Sequence, residues 1–131
     1  MKNKIYLAGG MESGWQDKIV AELGTDYTFF DPRSHLLDRV DMYTIWDIHY
    51  VKNCDILFGY MEATNPSGYG LSLEIGYAKA MGKTVILVDE RSPKDKNFER
   101  HYKFIQAVAD IHFNNLEDGI NLLHSLRRGI V

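Results

Sequence analysis

Short apolar segments alternate with helix-like segments along this chain of 131 residues. The clearest is Thr84 to Val88 (TVILV), which is apolar without interruption, as is typical of a strand buried on both faces of a sheet. Each of five such segments is followed by a stretch with apolar residues at helical spacing. This β–α alternation predicts a parallel sheet covered by helices on both faces.

The predicted elements follow this alternation in order. Strands are expected at residues 4–8, 27–30, 55–61, 84–88 and 110–113. Helices are expected at residues 15–23, 43–53, 69–82, 98–108 and 116–128. Of the polar segments between them, 33–41 is expected to be a loop that reaches over a pocket, and 90–97 a mobile segment. The predicted fold class is α/β, flavodoxin-like or Rossmann-like, with a five-stranded parallel sheet in a single domain over residues 1–131.

The composition excludes several classes of protein. A net charge of −3 provides no concentrated basic surface, so no nucleic-acid polymer is expected as a partner. The single cysteine, Cys54, excludes an intrachain disulfide and fits a reducing compartment. The histidines lack metal-ligand spacing, so no metal site is predicted. No apolar segment is long enough for a signal peptide or a membrane span, and we expect a cytoplasmic protein with no membrane partner.

A carboxylate interrupts the apolar stripe of one predicted helix. In residues 65–83 (NPSGYGLSLEIGYAKAMGK), Gly68 and Gly70 follow a strand, and Glu74 lies three residues after Leu71, on the face that must pack on the core. An ionised carboxylate is costly there unless something binds it. A favourable interaction with the helix dipole would explain an acidic residue at the start of a helix, but it does not explain an acidic residue on the apolar face. The glycine turn favours an anion or a ribose, since glycines let backbone N–H groups approach a ligand, although a tight turn without a ligand is equally compatible.

Other candidate residues have simpler interpretations from spacing alone. Asp47 lies four residues before Val51 on a predicted helix, and its spacing favours a surface carboxylate. Arg33 and Arg39 are interpreted as solvated loop residues, with contact to a phosphate as the alternative. The large aromatic side chains are predicted to be core residues: Tyr6, Trp15, Phe29, Phe30 and Trp46. For the two tryptophans and the phenylalanine pair, the alternative is a pocket-lining ring that stacks on a base.

Three segments of the chain resemble the nucleoside 2-deoxyribosyltransferase family, which includes 2′-deoxynucleoside 5′-phosphate N-hydrolases. They are KIYLAGG at the N-terminus, WDIHYVKNCDILFGYM in the middle and SGYGLSLEIGYAKAMGKTVILV after it. The most specific part is the pattern E-I/L-G-Y-A-x-x-x-G-K-x-V, which occurs here as Glu74 to Val85. The eight-residue step from Asp47 to Asp55 also matches the family.

The resemblance implies a role for each matching residue. It places the nucleophile on Glu74, the acid/base residue on Asp47, reversing the interpretation from spacing, and the tyrosine that orients the nucleophile on Tyr6. The residues expected to bind substrate are Gly9, Ser67, Gly68, Gly70 and Asn97. The family supplies such an asparagine from a neighbouring subunit, so a homodimer or higher homo-oligomer is expected, although matching Asn97 requires a gap.

The implied reaction is cleavage of the N-glycosidic bond of a 2′-deoxynucleoside or its 5′-monophosphate, with transfer of the sugar to a nucleobase or to water. No metal or organic cofactor is required. Gly68 stands where well-studied transferases carry an aspartate, and the Ser67-Gly68 loop is more similar to the hydrolase branch. One alternative is a nucleoside-monophosphate phosphoribohydrolase of the lysine-decarboxylase-like type, although residues 66–71 lack the threonine of its motif. The other alternative is a non-catalytic nucleotide-binding sensor module.

Overall fold

The computed structural model describes residues 2–127, and its five strands form one parallel sheet in the order β2-β1-β3-β4-β5. The strands are β1 (Lys4–Gly9), β2 (Thr28–Phe30), β3 (Ile56–Met61), β4 (Thr84–Asp89) and β5 (Ile111–Phe113). The helices are α1 (Trp15–Leu23), α2 (Val40–Asn53), α3 (Tyr69–Ala80), α4 (Lys96–Val108) and α5 (Leu116–Leu126). The predicted α/β class with a five-stranded parallel sheet is therefore confirmed.

Strand β1 lies at the point where the strand order reverses. It pairs with β2 on one side, with Tyr6 opposite Phe30, and with β3 on the other, with Tyr6 opposite Leu57. The chain leaves β1 and β3 in opposite directions around the sheet, so a crevice opens beyond the carboxyl ends of these two strands. In open α/β sheets this crevice is where ligands bind.

Alternating residues of the strands build one hydrophobic core on each face of the sheet. One face buries Ile5, Leu7, Phe58, Ile86 and Val88 against α1 and α5. The opposite face buries Tyr6, Ala8, Leu57, Val85 and Leu87 against α2, α3 and α4. Full burial of one such large aliphatic side chain stabilises a fold by roughly 1.5–3 kcal/mol, so these two layers hold the sheet between the helices. Helices on both faces were predicted, and they are present.

Several helix boundaries differ from the predicted ones, most clearly where side-chain capping forms a short helix inside a polar segment. Residues 33–41 do not form a plain loop: a short 3₁₀ helix, Pro32–His35, is capped by the Asp31 side chain, which accepts a hydrogen bond from the Arg33 N–H at 3.0 Å. Helix α2 begins at Val40, three residues earlier than predicted. Helix α3 ends at Ala80, and the predicted end of the last helix, Arg128, lies outside the described residues.

The segment 90–97 was predicted to be mobile, and this prediction is wrong. It contains a 3₁₀ helix, Ser92–Lys94, and the first turn of α4. The fully buried Asp89 carboxylate organises it, accepting hydrogen bonds from the backbone N–H groups of Arg91 at 3.1 Å and Ser92 at 3.0 Å. Although the segment is rich in charged residues, it therefore forms a turn that is hydrogen-bonded to a buried carboxylate.

The predicted core aromatics divide into two groups. Tyr6 and Trp15 are buried, and Phe29 and Phe30 pack partly buried against the core. Trp46 is 45% exposed, so its assignment to the core is wrong. It lies on a flank of α2, where its ring meets other aromatic rings instead of the sheet. Within residues 2–127, no helix combines the length and apolar character that crossing a membrane requires.

Candidate active site

A cavity of about 200 Å³ opens at the reversal point of the sheet, beyond the ends of β1 and β3. Its wall is formed by the end of β1, the inner side of α2, the loop after β3 and the first turns of α3. The structure brings seven of the eight predicted site residues to this wall: Tyr6, Gly9, Asp47, Ser67, Gly68, Gly70 and Glu74. The cavity therefore joins side chains that are far apart in the sequence.

Tyr6 holds the carboxylate of Glu74 in place. Tyr6 lies in the middle of β1 with 2% of its surface exposed, and its hydroxyl donates a hydrogen bond to Glu74 Oε2. Its ring packs against Tyr50 of α2, with 5.4 Å between the ring centroids. Because Tyr6 is fixed by the sheet, Oε2 is fixed as well, and Oε1 is the carboxylate oxygen that Tyr6 leaves unbound.

Burial makes the charged form of Glu74 costly. It raises the pKa of Glu74 to about 8, the Tyr6 hydrogen bond opposes this rise, and the negative charge of Asp47 adds to it. Burial and the adjacent Glu74 carboxylate also raise the pKa of Tyr6, so Tyr6 stays a neutral donor. Near neutral pH the resting protein therefore holds a proton on Glu74 unless a cation or a cation-like ligand enters the cavity.

We expect Glu74→Gln to change how stability depends on pH. Folded Glu74 keeps its proton up to about pH 8, whereas an unfolded chain loses it near pH 4.5, so the folded state binds more protons between these values. The parent's free energy of unfolding should therefore fall as pH rises through this window, whereas the glutamine variant lacks this contribution. The variant's advantage should grow to on the order of 5 kcal/mol at high pH, because each pH unit between about 4.5 and about 8 contributes about 1.4 kcal/mol.

Urea denaturation at about pH 5, about pH 7 and about pH 9 measures this difference. The matched control is Glu90→Gln, because Glu90 accepts a hydrogen bond from the Tyr60 hydroxyl at 2.8 Å but does not line the cavity. The control should follow the parent at each pH. A Glu74→Gln advantage that stays constant with pH would contradict the assignment of this titration to Glu74.

Asp47 supplies the second carboxyl group of the cavity. It projects from α2 with 22% of its side chain exposed, and burial raises its pKa, while its contact with His35 partly offsets the rise. The His35 side chain is 3% exposed, and its Nε2 lies 3.4 Å from Asp47 Oδ1. The inward position of Asp47 matches the expectation from the resemblance, whereas the surface position expected from spacing alone is wrong.

His35 was not among the predicted site residues. In the sequence it stands out only as one of five histidines without metal-ligand spacing, within a segment predicted to be a loop. A signal was nevertheless present, since Asp31-Pro32 combines a helix N-cap with a proline at the first helical position. A short helix there turns the chain back toward α2 and carries His35 to Asp47.

Gly68 occupies a backbone position that only glycine adopts readily. It is the N-cap of α3 with φ 75°, and a Cβ added there would overlap the methyl group of the buried Met61. Gly70, two residues further along the chain, has no positive φ, and a Cβ added there would meet nothing within 4 Å. The turn at Gly68 therefore needs the left-handed backbone that glycine adopts readily, and a side chain added there would have to displace the flexible end of Met61.

The two glycines give a matched pair of variants. Gly68→Ala is expected to lower the free energy of unfolding by about 1–2 kcal/mol, because alanine must adopt a left-handed conformation against Met61. Gly70→Ala is expected to leave the stability unchanged or slightly raised, since alanine favours a helix. Urea denaturation of both variants checks this order. A Gly70→Ala variant less stable than Gly68→Ala would contradict it.

A family model described as "Nucleoside 2-deoxyribosyltransferase like" matches residues 2–92 of this chain. The chain belongs to this family. The match includes β1, α2, β3 and α3, and therefore each residue named above as lining the cavity. The resemblance noted in the sequence is confirmed at the level of the family. A comparison with curated proteins finds no significant match.

Solved structures with a similar fold include two enzymes. A 2-desoxiribosyltransferase from Leishmania mexicana has a TM-score of 0.70 and 15% sequence identity, with 98% of this chain and 99% of that chain covered. The CMP N-glycosidase BcmB of Clostridium botulinum has a TM-score of 0.62 and 22% identity, with 92% and 98% covered. At these identities the two structures establish a shared fold over nearly the whole chain.

Asn97 is the predicted site residue that the structure does not bring to the Glu74 cavity. It lies in the first turn of α4 and lines a separate cavity of about 440 Å³, which shares Ser67 and Tyr69 with the first. It therefore does not reach Glu74 within its own subunit. Its expected contribution to a neighbouring subunit, and the homo-oligomer that this requires, stay predictions.

The two arginines considered for phosphate binding are engaged elsewhere. Arg33 pairs with Asp31 at 2.6 Å and with Asp17 at 2.8 Å, and Arg39 pairs with Asp41 at 2.7 Å. The wall of the cavity, as far as residues 2–127 form it, contains no lysine or arginine. Within this chain, the groups at the cavity that suit an anion are hydroxyl groups and the backbone N–H groups at the start of α3.

Proposed function

We propose that this protein cleaves the N-glycosidic bond of 2′-deoxynucleosides or their 5′-monophosphates through a covalent intermediate on Glu74. The observation that carries this proposal is the placement of two carboxyl groups on one small cavity, with Glu74 fixed by Tyr6 and Asp47 on the helix beside it. Paired carboxyl groups of this kind serve glycosidic bond cleavage, one as the nucleophile and the other as the acid/base group. Membership of the family supports the same chemistry.

In the first step, Glu74 Oε1 forms a bond to C1′ of the sugar while the bond from C1′ to the base nitrogen breaks. The electron pair of that bond stays with the base, and the base nitrogen takes the proton of Asp47. Positive charge develops at C1′ and the ring oxygen, and the poorly solvated carboxylate of Glu74 stabilises it. A 2′-deoxy sugar favours this step, because it lacks an electron-withdrawing hydroxyl group beside C1′.

In the second step, a nucleobase or a water molecule attacks C1′ and releases Glu74. Asp47, now ionised, takes the proton of the attacking group, and both carboxyl groups return to their starting states. Attack by a nucleobase makes the protein a transferase, and attack by water makes it a hydrolase. Neither step needs a metal or an organic cofactor.

The protonation states of the two carboxyl groups are coupled. The negative charge of Asp47 raises the pKa of Glu74, so a proton on Asp47 favours the ionised form of Glu74. The reaction needs one proton on this pair, located on Asp47 while Glu74 is ionised. A substrate whose sugar carries developing positive charge beside Glu74 favours that distribution, because it stabilises the carboxylate form of Glu74.

The sizes of the cavities support a placement of the substrate. The Glu74 cavity, at about 200 Å³, suits the sugar. A neighbouring cavity of about 600 Å³ shares Gly9, Gly10, Met11 and Asn65 with it, and this larger space suits the base and, in transfer, the acceptor base. A 5′-phosphate would lie toward Ser67 and the N-terminal turn of α3.

The experiment that tests the proposal is a base-release assay with a panel of substrates. The panel contains deoxyadenosine, adenosine, deoxycytidine, cytidine and their 5′-monophosphates, each with and without a second nucleobase as acceptor. We expect base release from deoxy substrates, and a new deoxynucleoside in the presence of an acceptor if the protein is a transferase. Release from ribonucleotides alone would overturn the proposal and favour a phosphoribohydrolase. Tight binding without turnover would favour a sensor module.

A further inference from the structure

A buried histidine contacts the carboxyl group proposed as the general acid. His35 Nε2 and Asp47 Oδ1 lie 3.4 Å apart, and both atoms are buried. Neither atom has a hydrogen-bond partner within residues 2–127, and their own contact at 3.4 Å falls short of hydrogen-bond geometry, so each is available to the other. Oδ1 is buried, whereas 22% of the Asp47 side chain as a whole is exposed and the residue lines the cavity.

The backbone determines which nitrogen of His35 carries the proton. The Leu37 N–H donates a hydrogen bond to His35 Nδ1 at 3.1 Å, and only an unprotonated nitrogen can accept it. The proton of the neutral ring is therefore on Nε2, the nitrogen that faces Asp47.

A strained residue makes this hydrogen bond possible. Leu36, between His35 and Leu37, has φ 56°, the only non-glycine residue with positive φ in the described part of the chain. Leu36 is 91% exposed, so packing of its side chain does not offset the cost of this backbone conformation. The left-handed turn reverses the chain and brings the Leu37 N–H back onto the ring of His35. Strain of this kind persists where the surrounding structure uses it.

Aromatic rings of α2 hold the imidazole in its orientation. The Tyr43 ring lies parallel to it, at 2° between the planes and 6.4 Å between the centroids, and the Trp46 ring lies 6.5 Å away. Both residues belong to the same helix as Asp47. The imidazole therefore lies beside the helix that carries the carboxyl group.

We propose that His35 is a positioning residue for Asp47, an inference that rests on the proposed function. By donating its Nε2–H to Oδ1, His35 makes that oxygen the acceptor and directs the acidic proton of Asp47 to Oδ2, which faces the cavity. His35 itself gives up no proton in the reaction. Its effect is to present the proton of Asp47 toward the departing base.

Two variants separate positioning from a purely structural role. His35→Gln keeps an N–H donor near the location of Nε2, and His35→Phe keeps the ring but removes the donor. Each is assayed on the deoxynucleoside or deoxynucleotide that the parent cleaves best, and on a 4-nitrophenyl 2-deoxyriboside with the same 5′ group. Nitrophenolate departs without a proton, so the second substrate needs no general acid.

We expect His35→Phe to lower kcat on the natural substrate by about 10- to 100-fold with little change in KM, and to retain most activity on the nitrophenyl substrate. His35→Gln should recover most of the lost kcat. Equal losses on both substrates would overturn the proposal, because a distorted site impairs both reactions. Full activity of His35→Phe on the natural substrate would overturn it as well.

A measurement on the resting protein does not depend on turnover. The ¹⁵N chemical shifts of the His35 ring report which nitrogen carries the proton. We expect a protonated Nε2 and an unprotonated Nδ1, and the reverse tautomer would overturn the proposal. If no substrate of the panel is cleaved, the proposed function fails on that result, and the ¹⁵N shifts still decide separately whether His35 and Asp47 are paired as described.

Discussion

The Glu74→Gln variant is expected to release base at least about 10³-fold more slowly than the parent, because the loss of a covalent nucleophile removes most of the acceleration of the chemical step. An amide has nearly the same size as a carboxylate, and its oxygen can still accept the hydrogen bond of Tyr6. The cavity therefore keeps its shape. The amide oxygen, however, cannot form the bond to C1′ or stabilise the positive charge of the sugar.

Two measurements check this prediction. Initial rates of base release give the loss of activity, and the intact mass of the protein, quenched during turnover, shows whether the sugar is attached. The parent should carry a sugar adduct, and Glu74→Gln should carry none. Glu90→Gln, which alters the similar Tyr60–Glu90 pair away from the cavity, should keep both the activity and the adduct. A Glu74→Gln protein with near-parent turnover would refute the assignment of the nucleophile.

The Asp47→Asn variant is expected to lose about 10²- to 10⁴-fold in kcat on natural substrates, the usual contribution of a general acid. Asparagine keeps the contact with His35 through its carbonyl oxygen but has no acidic proton for the departing base. On a 4-nitrophenyl 2-deoxyriboside the loss should be small, because nitrophenolate leaves unprotonated. Comparison of the two rates for the same protein preparation measures the contribution of the proton.

The matched control for this variant is Asp41→Asn. Asp41 lies in the first turn of the same helix, exposed and paired with Arg39 at 2.7 Å, and it does not line the cavity. Its replacement should leave both rates close to those of the parent. If Asp47→Asn slows both substrates by the same factor, Asp47 acts by shaping the site and is not the acid.

The sheet could be predicted because its strands follow a simple rule. The uninterrupted apolar run of β4 reflects burial on both faces, and the helical spacing between the strands reflects helices that each bury one stripe. The prediction of a mobile segment at 90–97 was wrong because the structure of this segment depends on hydrogen bonds to the fully buried Asp89. A charged composition does not reveal such bonds. The prediction that Trp46 lies in the core was wrong because tertiary packing determines which side of α2 meets the sheet.

The candidate site could be predicted only in part from the residues themselves. Glu74 was recognisable because a carboxylate on an apolar stripe needs an explanation. Asp47 was not, since its spacing fits a surface position equally well, and only the resemblance to a family singled it out. The position of His35 beside Asp47 depends on the left-handed conformation of Leu36 and on the tertiary contact with α2. Neither feature produces a periodic pattern in the sequence. Asn97 was matched to the family only by allowing a gap, and it lines a separate cavity.

The exposure of Trp46 has a practical consequence. The chain has two tryptophans, of which Trp15 is buried in the core and Trp46 is 45% exposed beside His35. Indole fluorescence shifts to longer wavelengths as the ring contacts water, so Trp46 emits to the red of Trp15. The helix that carries the second carboxyl group therefore also carries an intrinsic optical reporter of its own surroundings.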